Sequence, residues 1–137
     1  MPKTSTQVPH DSGAQGCKVT AMILDRIGDK WTVLVVGTLS HGPTRFNALM
    51  RQVGGVSHRM LTLTLRGLER DGLVKRTVYP TVPPQVEYEL TTLGRSLIDP
   101  LRVLGHWAVE NSATVVAAQG VYDKAQETVN AALSKRR

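Results

Sequence analysis

The side chains most capable of chemistry lie in one stretch, from Ser57 to Gly72. At 3.6 residues per turn, its polar and cationic residues share one helical face, which carries His58, Arg59, Thr62, Arg66 and Arg70. Guanidinium groups bind phosphate and can donate two hydrogen bonds to O6 and N7 of guanine. We therefore predict a nucleic-acid contact, with base reading by Arg59 and Arg66. Shorter contacts to base edges or phosphates are assigned to Ser57, His58 and Thr62.

Further cations lie outside this stretch. Phosphate contacts are assigned to Lys30, Arg45, Lys75 and Arg76, because long cationic side chains neutralise phosphates. The chain holds 17 Lys and Arg against 11 Asp and Glu, a formal charge of +6, which suits a polyanion better than an acidic partner. The alternative is an ordinary solvated basic surface. Aromatic residues make up only 4% of the chain, which disfavours a single-strand binder.

Cys17 is the only cysteine, so an internal disulfide is impossible. Near the start of a predicted helix and beside Lys18, its thiolate would be stabilised by the helix N-terminus and by the neighbouring cation. Cys17 is therefore a candidate redox or effector site; the alternative is a small apolar residue packed in a subunit interface. The four histidines are scattered without partners at ligand spacing. We predict no metal, no cofactor and no enzymatic activity.

Apolar periodicity predicts three helices before the Ser57 stretch. The first, from Cys17 to Ile27, is apolar on nearly every side and needs a further surface, such as a second subunit, to cover it. Asp29 is predicted to cap the second helix, whose core stripe is Trp31, Leu34, Val35 and Leu39. Thr44 is predicted to cap the third, whose inward residues are Phe46, Leu49, Met50 and Val53.

The Ser57 stretch is the fourth helix. Ser57 can cap its N-terminus, and Gly72 suits the left-handed backbone conformation that often ends a helix. A narrow apolar stripe that can pack against the core is formed by Leu61, Leu65 and Leu68. Gly54 and Gly55 make the turn before it. Two short helices joined by a glycine-containing turn, the second polar outside, are the outline of a helix-turn-helix.

After Gly72 the apolar period changes from about 3.6 to 2, which predicts strands over residues 73–79 and 85–91. Pro80, Pro83 and Pro84 lie between them and suit a hairpin tip. A helix followed at once by a proline-tipped hairpin is typical of a winged helix.

Thr91 is predicted to cap a long final helical region with a stripe of Leu93, Leu97, Leu101, Leu104 and Ala108. Pro100 should kink or restart it, and Gly120 is a candidate break. Beyond Asn111 the apolar side chains are small and would bury more against a symmetry mate than alone. We therefore predict a homodimer built from helices at about 17–27 and 92–135.

The predicted fold is mainly α with a small β-hairpin, a winged helix-turn-helix with N- and C-terminal dimerisation helices. Residues 1–16 are predicted to form a mobile tail and residues 17–137 a single winged-helix domain that includes the dimerisation helices, since 137 residues suffice for one core. No apolar stretch approaches the roughly 20 residues of a membrane span, and no signal-like block begins the chain. We expect a cytoplasmic protein without membrane contact.

The element order and several blocks resemble the HxlR-type transcriptional regulators, winged-helix proteins related to the MarR type, across roughly Cys17 to Trp107. The matching blocks are Ile27–Thr32, Arg45–Leu49, Leu61–Thr62, Leu68–Val74, Tyr79–Pro80, Pro83–Tyr88, Leu90–Thr91, Gly94 and Trp107. The resemblance implies a dimer on a pseudo-palindromic operator in double-stranded DNA, with the Ser57 helix in the major groove and the hairpin tip near the flanking minor groove. In some members a cysteine in the position of Cys17 senses oxidants, quinones or aldehydes.

The chain departs from the family pattern at three positions. Asp29 replaces a usual glycine, Lys18 replaces a proline after the cysteine, and Gln85 replaces a common arginine at the hairpin base. The last change removes a cation from the wing, so Lys75 and Arg76 must supply more of the local phosphate contact.

Three functions stay open: a DNA-binding regulator responsive to oxidants or electrophiles, a regulator of the same fold whose effector is a small apolar molecule, and a winged-helix protein-interaction module without an operator.

Overall fold

Local sequence signals set most of the element boundaries. A computed structural model describes residues 14–136, which form six helices and three strands. The helices are α1 (Ala14–Gly28), α2 (Lys30–Leu39), α3 (Phe46–Val53), α4 (His58–Arg70), α5 (Thr92–Ser96) and α6 (Ile98–Ser134). The strands are β1 (Thr44–Arg45), β2 (Val74–Tyr79) and β3 (Gln85–Leu90). Contacts divide the chain after Ile98 into two compact units.

The first helix begins earlier than predicted. α1 starts at Ala14, within the stretch expected to be a tail, and ends with Gly28. Residues 1–13 of the predicted tail lie outside the described residues. The predicted cap at Asp29 is confirmed, because its Oδ1 accepts hydrogen bonds from the backbone N–H of Trp31 at 2.8 Å and of Thr32 at 3.2 Å.

The buried face of α2 is rotated from the predicted stripe. Its buried residues are Thr32, Val35, Val36 and Leu39. Trp31 is only half-buried and Leu34 is 38% exposed, so the prediction of these two as core residues was wrong. Thr32 and Val36 take their places, since they lie with Val35 and Leu39 on the side of the helix that meets α3, α4 and β3.

Thr44 does not cap α3, and that prediction was wrong. Thr44 and Arg45 form β1, which pairs with β3 in the register Thr44 to Tyr88 and Arg45 to Glu87. Arg45 occupies the N-cap position of α3 without a side-chain hydrogen bond to the helix. A β-branched residue fits a strand well, and pairing with a distant strand decided its conformation.

The predicted hairpin is confirmed and gains a third strand. Within residues 14–136 the sheet is antiparallel in the order β1-β3-β2, and Val74 pairs with Leu90 at its base. Alternation holds along β3, where Tyr88 and Leu90 are buried and Val86 is half-buried. The three leucines of α4 lie in the core beneath this sheet and α2, each no more than 1% exposed, as the apolar stripe predicted.

The C-terminal helical region restarts near Pro100. Thr91 caps α5, its Oγ1 accepting a hydrogen bond from the N–H of Gly94 at 3.1 Å. Pro100 then lies in the first turn of α6, where a missing N–H is harmless. Gly120 does not divide α6, which runs without a break from Ile98 to Ser134, so the predicted break was wrong. One helical glycine disfavours the helix by only about 1 kcal/mol, and the surrounding alanines outweigh it.

Candidate nucleic-acid interface

The polar face of α4 is presented from a well-defined helix start. Gly54 and Gly55 both adopt positive φ angles, 69° and 71°, which form the turn after α3. Ser57 then caps α4, its Oγ accepting a hydrogen bond from the N–H of Met60 at 3.1 Å. Gly72 has φ of 76° just beyond the other end. The two ends of α4 therefore lie at Ser57 and Gly72, as the sequence predicted.

The two faces of α4 separate as expected. Leu61, Leu65 and Leu68 are buried, whereas the outward side chains are His58, Arg59, Arg66 and Arg70. Thr62 is half-buried, and its Oγ1 donates a hydrogen bond to the carbonyl of His58 at 2.8 Å. While that proton is donated inside the helix, the Thr62 hydroxyl offers a partner only an acceptor, and rotation of the hydroxyl frees it to donate to a base or a phosphate.

A second exposed strip on α4 is apolar. Met60 is 41% exposed and Leu63 is 47% exposed. They line a groove with Met22 of α1. Sequence reasoning did not identify this strip, because it lies between the leucine stripe and the cationic face.

A cleft of about 580 Å³ lies between α3, the start of α4 and the tip of the hairpin. Its polar lining includes Arg45, Arg51, His58, Thr62 and Gln85. The His58 ring packs on Phe46, with centroids 4.8 Å apart, and Phe46 in turn lies 6.4 Å from the ring of Tyr88. This aromatic row holds the imidazole in the lining of a cleft that also contains two arginines, and guanidinium groups are strong donors to phosphate.

The structure brings only some of the predicted residues into this cleft. Arg45, His58 and Thr62 line it together. Arg59 and Arg66 on α4, and Ser57 at its N-cap, lie outside the lining. Lys30 lies at the start of α2, with its Nζ 4.5 Å from the centre of the Trp31 ring.

The two predicted cations of the wing lie on β2. Lys75 pairs with Glu89 on the neighbouring strand, N to O 3.9 Å. This exposed pair is weak enough for a phosphate to displace the carboxylate. Arg76 faces Tyr88 in the strand register and is exposed. Glu87 accepts a hydrogen bond from the Tyr79 hydroxyl at 3.3 Å.

Sequence reasoning missed Arg51. Arg51 lies on α3 and lines the cleft together with Arg45. The available signal was its helical spacing, because Asn47 and Arg51 are separated by one turn on the same side of α3, and both line the cleft.

The sequence model of the HxlR-like helix-turn-helix family matches residues 26–115, which span the whole site and the start of α6. The chain belongs to the HxlR-like helix-turn-helix family. The fold is therefore the winged helix-turn-helix that was predicted, and HxlR-type proteins are transcriptional regulators, not enzymes.

Relatives of known name agree with this HxlR assignment. The chain is 40% identical over 97 residues to an uncharacterized HTH-type transcriptional regulator, YtfH, of Escherichia coli (strain K12), covering 71% of this chain and 77% of that protein. It is 42% identical to the redox regulator HypR in its oxidized form, with a TM-score of 0.61 over 68% of this chain and 96% of HypR. It is 30% identical to diamide-treated YodB from B. subtilis, with a TM-score of 0.60 over 69% and 93% of the two chains.

Between residues 14 and 136, no helix combines the length and the apolar character needed to cross a membrane. Cys17 lies in the first turns of α1 and its side chain is exposed.

Proposed function

We propose that this HxlR-type regulator binds a pseudo-palindromic operator as a homodimer, with α4 of each protomer in the major groove and the hairpin tip near the flanking minor groove. The observation that carries the proposal is the division of α4 into a buried leucine stripe and an exposed cationic face between two defined ends. An α-helix of this kind fits the roughly 12 Å wide major groove.

The proposed contacts fall into two groups. Base edges are read by Arg59 and Arg66, with Ser57, His58 and Thr62 contributing shorter contacts to bases or phosphates. Phosphates are bound by Lys30, Arg45, Lys75 and Arg76, and the cleft adds Arg51 to this group. Because Arg45 and Arg51 line the cleft beside His58, one phosphate could accept from both guanidinium groups while α4 enters the groove.

Two exposed apolar surfaces support the homodimer. On α1, Val19, Met22, Ile23 and Leu24 are each about half exposed, and such a patch is unusual on a monomer. On α6, an alternating four- and three-residue spacing runs through Leu104, Ala108, Asn111, Val115, Ala118, Tyr122, Ala125, Val129 and Ala132. This repeat is typical of a coiled-coil seam, and the continuity of α6 past Gly120 keeps it in register.

The replacement Arg59→Ala tests the proposed reading helix. A guanidinium that pairs with guanine contributes about 1 to 3 kcal/mol, and the homodimer loses one such contact per protomer, so affinity for a duplex selected from a random pool should fall by about 30-fold or more. Affinity for a random duplex should change little. Fluorescence anisotropy titrations measure both values.

Arg70→Ala is the matched control for this experiment, because Arg70 lies on the same helix but at the end remote from Ser57. It should retain most of the selectivity. Equal weakening of the selected and random duplexes by Arg59→Ala would show a phosphate contact and contradict the base-reading role.

We further propose that Cys17 senses oxidants or electrophiles. Its exposure on α1 and the similarity to oxidized HypR and diamide-treated YodB support this role. Diamide would accept two electrons and two protons from the Cys17 thiols of two protomers, leaving an intersubunit disulfide and a hydrazine. A quinone would instead take the Cys17 sulfur on its ring and become a substituted hydroquinone. Either change alters the α1 surface that we assign to the dimer.

Intact-mass measurement after diamide or quinone treatment, with operator affinity measured in parallel, tests the sensor. We expect a mass shift and a change in affinity for the wild type, and neither for Cys17→Ser. An unmodified thiol, or a modified one with unchanged affinity, would remove Cys17 from the mechanism.

A small apolar effector is the second candidate, and one pocket favours it. A pocket of about 240 Å³ lies between α1, the end of α4 and α5, with an apolar lining of Ile23, Ile27, Leu73, Leu93 and Leu97. This volume suits a molecule of about one ring, and such a ligand would act without Cys17.

A protein-interaction module without an operator is the third candidate. The exposed Met60 and Leu63 would form its contact surface. This candidate predicts no selective DNA binding at all.

A further inference from the structure

An ion pair joins α1 to the end of α4. Nε of Arg26 lies 2.8 Å from Oδ2 of Asp71, the C-cap residue of α4, and these side chains are only 31% and 22% exposed. The other ion pairs of the described residues, Lys75 with Glu89 and Arg102 with Asp99, are more open to solvent. A partly buried, charge-assisted hydrogen bond is stronger than an exposed pair.

Gly67 makes room for this ion pair. A Cβ built on Gly67 would lie 2.8 Å from Nη2 of Arg26 and closer still to Cζ and Nη1, so the guanidinium occupies the space that a side chain at this position of α4 would fill. Gly67 is buried and stands one turn before Asp71, whose N–H donates to the Gly67 carbonyl at 3.0 Å. One guanidinium therefore covers the last turn of α4 and binds its cap residue.

A glycine inside a helix is otherwise unfavourable. Compared with alanine, it destabilises the helix by about 1 kcal/mol. Gly37, which is exposed on α2, shows the contrast, because a Cβ there would meet no atom within 4 Å. At Gly67, however, a methyl group would displace Arg26 and break its bond to Asp71.

We propose that Arg26, seated on Gly67 and bonded to Asp71, is a positioning residue that fixes the reading helix α4 against α1. We call this arrangement of Arg26, Gly67 and Asp71 the latch. The inference rests on the proposed function, because the consequence of losing the latch is measured in operator binding. α1 also carries Cys17, about 13 Å from Arg26 along the helix axis. The latch therefore connects the helix that bears the proposed sensor with the helix that reads DNA.

The planar shape of arginine matters for this role. The Arg26 guanidinium fills the space beside Gly67 with Nη1, Nη2 and Cζ while its Nε donates to Asp71, whereas a lysine ammonium is a compact point charge at the end of a flexible stem. Arg26→Lys should therefore keep the net charge but behave like Arg26→Ala in operator binding.

Substitution at Gly67 in two backgrounds tests the latch. In the wild type, Gly67→Ala should lower the urea midpoint of the dimer at fixed protein concentration, because it displaces Arg26. In the Arg26→Ala background, the same change should raise the midpoint, because only the helical preference of alanine remains. The matched control Gly37→Ala should raise the midpoint in both backgrounds. If Gly67→Ala lowers the urea midpoint in both backgrounds, or raises it in both, the latch is overturned.

Operator binding separates positioning from general stability. Without denaturant, Arg26→Ala and Gly67→Ala should each weaken binding to a selected duplex by about five- to tenfold, with random-duplex affinity within about twofold of wild type and no further loss in the double variant. Unchanged selectivity in both variants, or losses that multiply, would overturn the positioning role. Wild-type protein that does not distinguish selected from random duplex would instead overturn the proposed function, and the positioning role with it.

Discussion

Binding to a selected duplex should weaken by about a thousandfold or more when the salt concentration rises from about 50 to about 200 mM. Each phosphate neutralised by a cation releases a counterion, and this release becomes less favourable as salt increases. The residues proposed to contact phosphates are, in each protomer, Lys30, Arg45, Arg51, Lys75 and Arg76. If six to ten of these contacts form in the dimer, the expected slope of log affinity against log salt is about −5 to −9.

Anisotropy titrations at several salt concentrations measure this slope. Replacing Lys75 by Gln should reduce the slope by about two, one contact per protomer. The exposed pair of Lys75 with Glu89 provides a matched control, because Glu89→Gln removes the competing carboxylate and should strengthen binding. A slope shallower than about −3 would contradict a phosphate-bound interface and favour the protein-interaction module.

The reading helix was predictable because its signals are local. Ser57 lies next to the first turn that it caps, Gly72 directly follows the last turn, and the leucine stripe repeats within α4 itself. The hairpin was predictable for the same reason, since alternation and prolines lie within its own strands. These patterns need no information about which distant segments meet.

Two of the errors concern residues whose state depends on distant partners, whereas the error at Gly120 concerns its local helical neighbours. Thr44 became a strand because β3 lies beside it, and the buried side of α2 was decided by α3, α4 and β3. Gly120 was read as a break from its type alone, although a long run of helix-forming neighbours surrounds it. Periodicity identifies a helix, but tertiary contacts select which side is buried.

The candidate site was only partly visible for a related reason. The sequence gives the cationic residue types, but not that Arg45 and Arg51 converge on one cleft or that Arg26 reaches Gly67. A glycine lies within the α4 pattern, but the helical Gly37 and Gly120 have no atom within 4 Å of an added Cβ, so a helical glycine does not by itself indicate a close approach. The approaching group itself could be identified only from the three-dimensional arrangement.

Insertion of five base pairs between the two half-sites of a selected operator should reduce affinity by about a hundredfold or more. Half-sites read by a two-fold symmetric helix-turn-helix dimer lie about 34 to 36 Å apart, one helical turn of DNA. A half-turn insertion moves the second half-site to the opposite face of the duplex, so only one α4 helix can bind. Insertion of ten base pairs returns the second half-site to the same face of the duplex as the first. It should recover part of the lost affinity if the dimer or the DNA can adjust to the longer distance.

Hydroxyl-radical footprinting of the wild-type protein on the selected duplex, followed by titration of the five-base-pair insertion, tests the paired presentation of α4 most directly. We predict two protected half-sites related by a dyad and centred about one helical turn apart, together with the large loss on half-turn insertion. A single protected site, or equal affinity for the inserted and original duplexes, would contradict it.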